Sequence, residues 1–185
     1  MSFGWFLLGA ASALGAVWAK TRVADFPAQT PVDYTGTGPA IDIREALNGP
    51  ILCEGAIYGP TGRVAARFVA DFEASWDGDT GRMTEHFVYD SGRVQDREWT
   101  FTVAGTKITA TAPDLVGKGT GKQEGATVVL NYRLRLPKES GGHVLDVTDW
   151  MYQVENGTIM NRSQFRMFGL KVGELIATMR PVAVA

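Results

Sequence analysis

The chain has 185 residues, 45% of them hydrophobic, with 18 basic and 20 acidic side chains for a net charge of −2, one Cys and two His. That is enough for one domain with a core of its own, and the near-neutral balance offers no electrostatic footprint for nucleic acid. A lone cysteine excludes an internal disulfide framework, and one Cys with two His cannot furnish a four-ligand zinc site, so neither a metal nor a cofactor is expected.

The first element runs from Phe3 to Ala19 (FGWFLLGAASALGAVWA), carries no charge and is followed by Lys20 and Arg22. As a helix rising ~1.5 Å per residue it would span roughly 25 Å, the short end of what crosses a bilayer core. Trp5 and Trp18 stand near its two ends, where indoles favour the headgroup region. Residues 1–22 thus read as an N-terminal hydrophobic helix acting as a single-pass transmembrane anchor. Cleavage after Ala19 as a signal peptide is the alternative, and the lack of Lys or Arg ahead of the apolar run favours retention. Basic residues only on the C-terminal flank would keep the following domain in the cytoplasm.

Residues 23–50 (VADFPAQTPVDYTGTGPAIDIREALNGP) are rich in Pro, Gly and Thr and read as an extended linker with one short helical turn, Asp42–Leu47. Asp42 suits its N-cap, Glu45 stands three residues on, and Asn48-Gly49-Pro50 stops it.

Residues 51–185 alternate with period two. Val64, Ala66, Phe68, Ala70, Phe72, Ala74 and Trp76 share one face, with Arg67, Asp71, Glu73 and Ser75 on the other. Trp99, Phe101 and Val103, then Ile108 and Ala110, then Val128, Leu130, Tyr132 and Leu134 repeat the pattern. Turn signals such as Asp77-Gly78, Ser91-Gly92, Ser140-Gly141-Gly142 and Asn156-Gly157 separate about nine or ten strands with no long helix between them. Long strands with short connections predict an all-β, antiparallel meander closed into a barrel, with a two-sheet sandwich as the rival.

Several polar residues fall on the apolar parity. Glu85 shares the face of Met83, Phe87 and Tyr89, and Arg97 that of Trp99 and Phe101. A three-residue Asp90-Ser91-Gly92 loop sets Glu85 opposite Arg97 and Met83 opposite Trp99. Such a pair is either a structural bridge or a polar anchor in a ligand cavity. The second cluster is Asp149-Trp150-Met151-Tyr152 with Asn161-Arg162-Ser163. A two-residue Asn156-Gly157 loop would place Arg162 opposite Met151 and within diagonal reach of Asp149. The ligand-binding candidates are therefore Glu85, Arg97, Trp99, Asp149, Trp150, Tyr152, Asn161 and Arg162.

Catalytic motifs are missing: there is no G-x-S-x-G, H-E-x-x-H or C-x-x-C. Gly117, Gly119, Gly121 and Gly125 read as a flexible connection rather than a phosphate loop, since Lys122 precedes Gln123. His86 falls on the polar face, His143 in a Gly-rich turn, and Cys53 reads as a small buried hydrophobe. No catalytic residue is assigned.

Gly55, Gly62-Arg63, Phe68, Glu85 with Phe87, Arg97-Glu98-Trp99, Asp114-Leu115-Val116-Gly117, Asp149-Trp150-Met151-Tyr152, Asn161-Arg162-Ser163, Phe168-Gly169 and Val172-Gly173-Glu174 resemble, in order, the bacterial domain of unknown function 3833 family over about residues 41–180. The resemblance implies a lipocalin-like (calycin) barrel, and an envelope setting in which many members are lipoproteins, some encoded near enzymes that modify membrane fatty acids. Cys53 lies too far from the apolar helix to be an acylated cysteine. The expectation is thus a protein of the bacterial inner membrane that binds or shields a hydrophobic small molecule or lipid, a fatty-acyl group above all, with envelope or fatty-acid-modifying proteins as possible partners. The resemblance puts the barrel in the periplasm, where the flanking charges put it in the cytoplasm. Two alternatives stand beside this: an enzyme or enzyme subunit of fatty-acid modification using Asp149, Arg162, Glu174 or His86, and a structural protein whose barrel is packed solid by Trp76, Trp99, Trp150 and the phenylalanines.

Overall fold

A computed structural model describes residues 2–182. Helix α1 covers Ser2–Val23, and short 3-10 turns follow at Phe26–Ala28 and Pro31–Tyr34. Helix α2, Ile43–Ala46, precedes ten strands: β1 (Gly49–Tyr58), β2 (Val64–Asp77), β3 (Thr80–Tyr89), β4 (Val94–Ala104), β5 (Lys107–Thr111), β6 (Gly119–Glu124), β7 (Thr127–Arg135), β8 (Val144–Gln153), β9 (Ile159–Met167) and β10 (Leu170–Pro181). Each strand pairs antiparallel with the next, and β10 returns to β1, closing a ten-stranded barrel. The expected barrel forms, and the sandwich does not.

Alternation dictates the interior. Phe68, Ala70, Phe72 and Ala74 of β2 are buried while Arg67, Val69, Asp71 and Glu73 face out, and Trp99, Phe101 and Val103 of β4 do the same. Closure requires close approach of β1, β2 and β10 at Gly55, where a Cβ would lie 2.6 Å from the Ile176 carbonyl oxygen and 2.8 Å from the Phe68 ring. The Gly-rich stretch read as a flexible connection is instead β6, paired on both sides through Ile108↔Gly121 and Gly121↔Leu130. Its glycines leave room for the side chains of β7, since a Cβ at Gly121 would lie 2.5 Å from Leu130 Cδ2.

The barrel has one plugged end and one open end. At the plugged end Asp42 caps α2 by accepting from Arg44 N–H at 2.9 Å, and Ile41, Ile43 and Leu47 enter the core. The Trp76 indole locks the plug by donating to the Leu47 carbonyl at 2.6 Å. The connections β1–β2, β3–β4, β5–β6, β7–β8 and β9–β10 gather at the opposite end.

The stretch expected to be a linker is a strap along the outside of the barrel. Phe26 packs on Val129 and Trp150, outward residues of β7 and β8, and Tyr34 adds a ring 5.3 Å from Trp150. Gln29 Oε1 accepts from both the Tyr34 and Tyr152 hydroxyls, the latter at 2.6 Å. Beyond it, Ile41 N–H donates to the Gly125 carbonyl at 2.8 Å and Thr37 Oγ1 accepts from Ala126 N–H at 3.2 Å. Gly125 has φ +53°, and a Cβ there would collide with the Tyr34 carbonyl, so only glycine fits under the strap.

Helix α1 leads away with Trp5, Phe6, Leu7, Leu8 and Trp18 exposed. No helix among the described residues is long and apolar enough to cross a membrane.

Candidate ligand-binding site

The barrel interior is not filled. A cavity of about 1900 Å³ runs from the rim, at Tyr58, Arg93, Lys138 and His143, down to Ile51, Phe72, Met83 and Trp99. Its walls are mostly aliphatic and aromatic, with Phe68, Phe87, Leu130, Met151, Phe165 and Leu175 among them. A barrel packed solid is excluded by this volume. Trp99 and Trp76 do line the core, but Trp150 points outward under the strap.

Part way down, three charged side chains meet. The β3–β4 hairpin has the expected three-residue loop, closed by Tyr89 N–H donating to the Arg93 carbonyl at 2.9 Å, and pairs Glu85 with Arg97 and Met83 with Trp99. Glu85 is 7% exposed, and its Oε2 accepts from Arg97 Nη1 at 3.4 Å. Arg97 gives a tighter, two-pronged pair to Asp114 of the β5–β6 connection, Nε to Oδ2 at 2.8 Å and Nη2 to Oδ1 at 3.2 Å. Its guanidinium lies 4.7 Å from the centre of a Trp99 ring.

Across the cavity, Asp149 of β8 pairs in register with Ser163 of β9. Its Oδ1 accepts from Ser163 Oγ at 2.8 Å and from the Asn161 amide, which also donates to the Trp150 carbonyl at 3.1 Å. Asp149 is shielded from bulk water yet keeps part of its surface open to the cavity.

Burial sets the electrostatics. It pushes the Glu85 carboxyl up to about 7, against the pull of Arg97 and of a hydrogen bond with Trp99, and with a further push from Asp149 and Asp114. Burial also raises Asp149, opposed by its Asn161 and Ser163 donors. For Arg97 burial works against the charge, but Glu85 and Asp114 prevail and hold it protonated. The Cys53 thiol is raised by burial and by the nearby Glu85 and Asp149 charges, so it stays protonated as the small buried hydrophobe expected. Among the described residues no three His, Cys, Asp or Glu side chains are arranged to hold a metal ion.

Of the eight candidate residues, Glu85, Arg97, Trp99, Asp149 and Asn161 come together inside the barrel. Trp150, Tyr152 and Arg162 do not. Trp150 and Tyr152 are outward residues of β8 against the strap, and Arg162 lies outside with its guanidinium 4.7 Å from the Phe26 ring centre and Nε 2.6 Å from Glu174 Oε1. The expected Asp149–Arg162 pair is thus corrected. Val154 N–H donates to the Thr158 carbonyl, making a three-residue loop where two were expected, and Trp150 rather than Met151 faces Arg162. A one-residue slip moves every β9 side chain to the other face of the sheet. Among the proposed acid/base groups, Glu174 pairs with Arg162 and Lys171 on the outer wall and the exposed His86 with Asp96, while Asp149 is held inside the barrel by Asn161 and Ser163. Asp114, Ser163 and Tyr132 were missed. Tyr132 follows from the parity of β7 and Ser163 from that of β9 once the β8–β9 register is right, whereas Asp114 lies in a connection where parity gives no signal.

An apolar cup, open at one end and carrying a few convergent polar groups, defines the protein as a lipocalin-like β-barrel. Two solved structures share the fold: the S-type phycobiliprotein lyase CPES from Guillardia theta, at TM-score 0.56 and 9% identity over 77% of this chain and 92% of that one, and Rv2717c from M. tuberculosis, at TM-score 0.54 and 14% identity over 80% and 99%. Residues 21–181 match the family described as "Protein of unknown function (DUF3833)", and the chain belongs to that family. The match takes in the strap as well as the barrel. No curated protein matches the chain.

Proposed function

We propose that this protein binds a small molecule with a long apolar chain, a fatty-acyl or other lipid, inside the barrel, and works at the bacterial inner membrane with α1 as its attachment. The observation that carries the reading is the cavity of about 1900 Å³. Ordinary small-molecule pockets occupy roughly 300–1000 Å³ and are, like this one, mainly apolar with a few placed polar groups. The chain would lie along Phe68, Phe87, Leu130 and Leu175, with its polar end at the Glu85, Arg97, Asp114 and Asp149 cluster. The exposed apolar side chains of α1, Trp5, Phe6, Leu7, Leu8 and Trp18, support its attachment to the bilayer.

The test is equilibrium binding of a neutral apolar fluorescent probe to the full chain, with and without Leu175→Trp. Leu175 lines the cavity and is only partly buried, so an indole there fills volume without removing a packed group. Probe affinity should fall by about tenfold or more, for about 1.4 kcal/mol of lost binding, while the melting temperature changes little. Unchanged affinity would contradict binding inside the barrel.

A further inference from the structure

We propose that the barrel selects a ligand whose polar end donates hydrogen bonds and is neutral or cationic, a hydroxyl or an amine on a long apolar chain, and discriminates against a free carboxylate. This rests on the chain-binding reading above and narrows it to a class of headgroup.

The geometry around the single guanidinium carries the inference. Arg97 would be the natural partner of a fatty-acid carboxylate, but its Nε and Nη2 are taken by the two oxygens of Asp114, its Nη1 points to Glu85, and Trp99 lies against its face. A carboxylate could reach it only by displacing Asp114 and leaving that charge unpaired. Asp149 offers the opposite chemistry. Its Oδ1 is held by Asn161 and Ser163, while Oδ2 has no hydrogen-bond partner among the described residues and, not being a buried orphan, faces the cavity. An acceptor fixed by two donors on one oxygen and open on the other is positioned to receive a donor.

Charge balance agrees. Along its wall the cavity sets Glu85, Asp114 and Asp149 against Arg97. Three carboxyl groups beside one guanidinium, itself already paired, leave no spare positive charge for an entering anion, and the low-dielectric walls strengthen any repulsion it meets. The other cations along the cavity, Arg93, Arg135 and Lys138, belong to the mouth, with Glu139 and His143 beside them. They can draw an anionic head outward but do not neutralise the interior acids.

The experiment is displacement of the same neutral probe from the full chain at about pH 8, where Asp and Glu side chains ordinarily ionise, by hexadecanol, hexadecylamine and hexadecanoate. The alcohol and the amine should displace it at about tenfold lower concentration than the carboxylate. Asp114→Asn, in a connection rather than a strand, frees Arg97 and should raise hexadecanoate affinity about tenfold with no gain for the amine. Asp149→Asn should weaken amine binding by a similar factor, and Ser163→Ala provides a milder perturbation of the same acceptor. Hexadecanoate binding as well as the amine to the wild-type chain, or no response to Asp114→Asn, would overturn the headgroup preference alone. Failure of all three compounds to displace a bound probe would instead overturn the chain-binding reading beneath it.

Discussion

Glu85 offers a quantitative test of the interior. Its carboxyl sits 7% exposed in the barrel wall, and burial outweighs Arg97 to move it from 4.5 to about 7. Each tenfold change in proton affinity is worth about 1.4 kcal/mol, so the linked stability is roughly 3 kcal/mol. The folded protein binds this proton more tightly than the unfolded chain. The contribution is therefore fully present below about pH 4.5 and is lost as the pH rises through about 7. Glu85→Gln keeps the shape and removes the titration. Urea unfolding of both proteins, followed by tryptophan fluorescence from about pH 4.5 to 8, should show the wild type losing roughly 3 kcal/mol relative to the variant across that window. Asp149 is raised by burial as well and adds a slope of the same sign in both proteins. A difference that stays flat, or grows with pH, would show that pairing with Arg97 dominates desolvation and would refute the reasoning.

Other consequences follow from the strap and from β1. Trp150 is 1% exposed between the outer wall and Phe26, so Trp150→Ala should cost about 3–5 kcal/mol in urea unfolding. It should also accelerate amide exchange in residues 26–37 while leaving probe binding in the cavity intact, since the indole lies on the far side of the sheet; a loss under about 1 kcal/mol would contradict the strap packing. Cys53 is 3% exposed and its thiol is pushed up by burial. Cys53 lines the cavity, so alkylation by iodoacetamide in the native protein should be limited by the raised thiol and run at least about a hundredfold slower than in urea; rapid native labelling would contradict a thiol held protonated.

Much of this architecture is legible in the residues because a period of two is a local signal. The stripe Phe68, Ala70, Phe72 and Ala74 and the short loop between Tyr89 and Arg93 specify β2, β3 and β4 with their register, and with it the Glu85–Arg97 pair. Where the signal is not local the reading fails. Asn156-Gly157 suits either a two- or a three-residue loop, and choosing between them decides whether Arg162 lies inside or outside. The glycines of β6 have no side chains to alternate, and their strand identity comes from β5 and β7 on either side. The strap is held by Phe26, Gln29 and Tyr34, spaced at no regular period and meeting a surface formed by residues more than a hundred positions later. Trp150 looked like a cavity residue because a large apolar side chain on the outer face makes sense only once something covers it. Asp114 enters the site from an irregular connection, where the partner is set by chain path.

The central claim is that the barrel holds an apolar-chain molecule, and native mass spectrometry of the full chain, gently extracted from the cells that make it, tests it most directly. The account predicts a population heavier than the 20.0 kDa chain by one lipid-sized mass, released on collisional activation and much reduced in Leu175→Trp. Recovery of the bare chain alone, with no adduct after incubation with long-chain alcohols or amines, would contradict it.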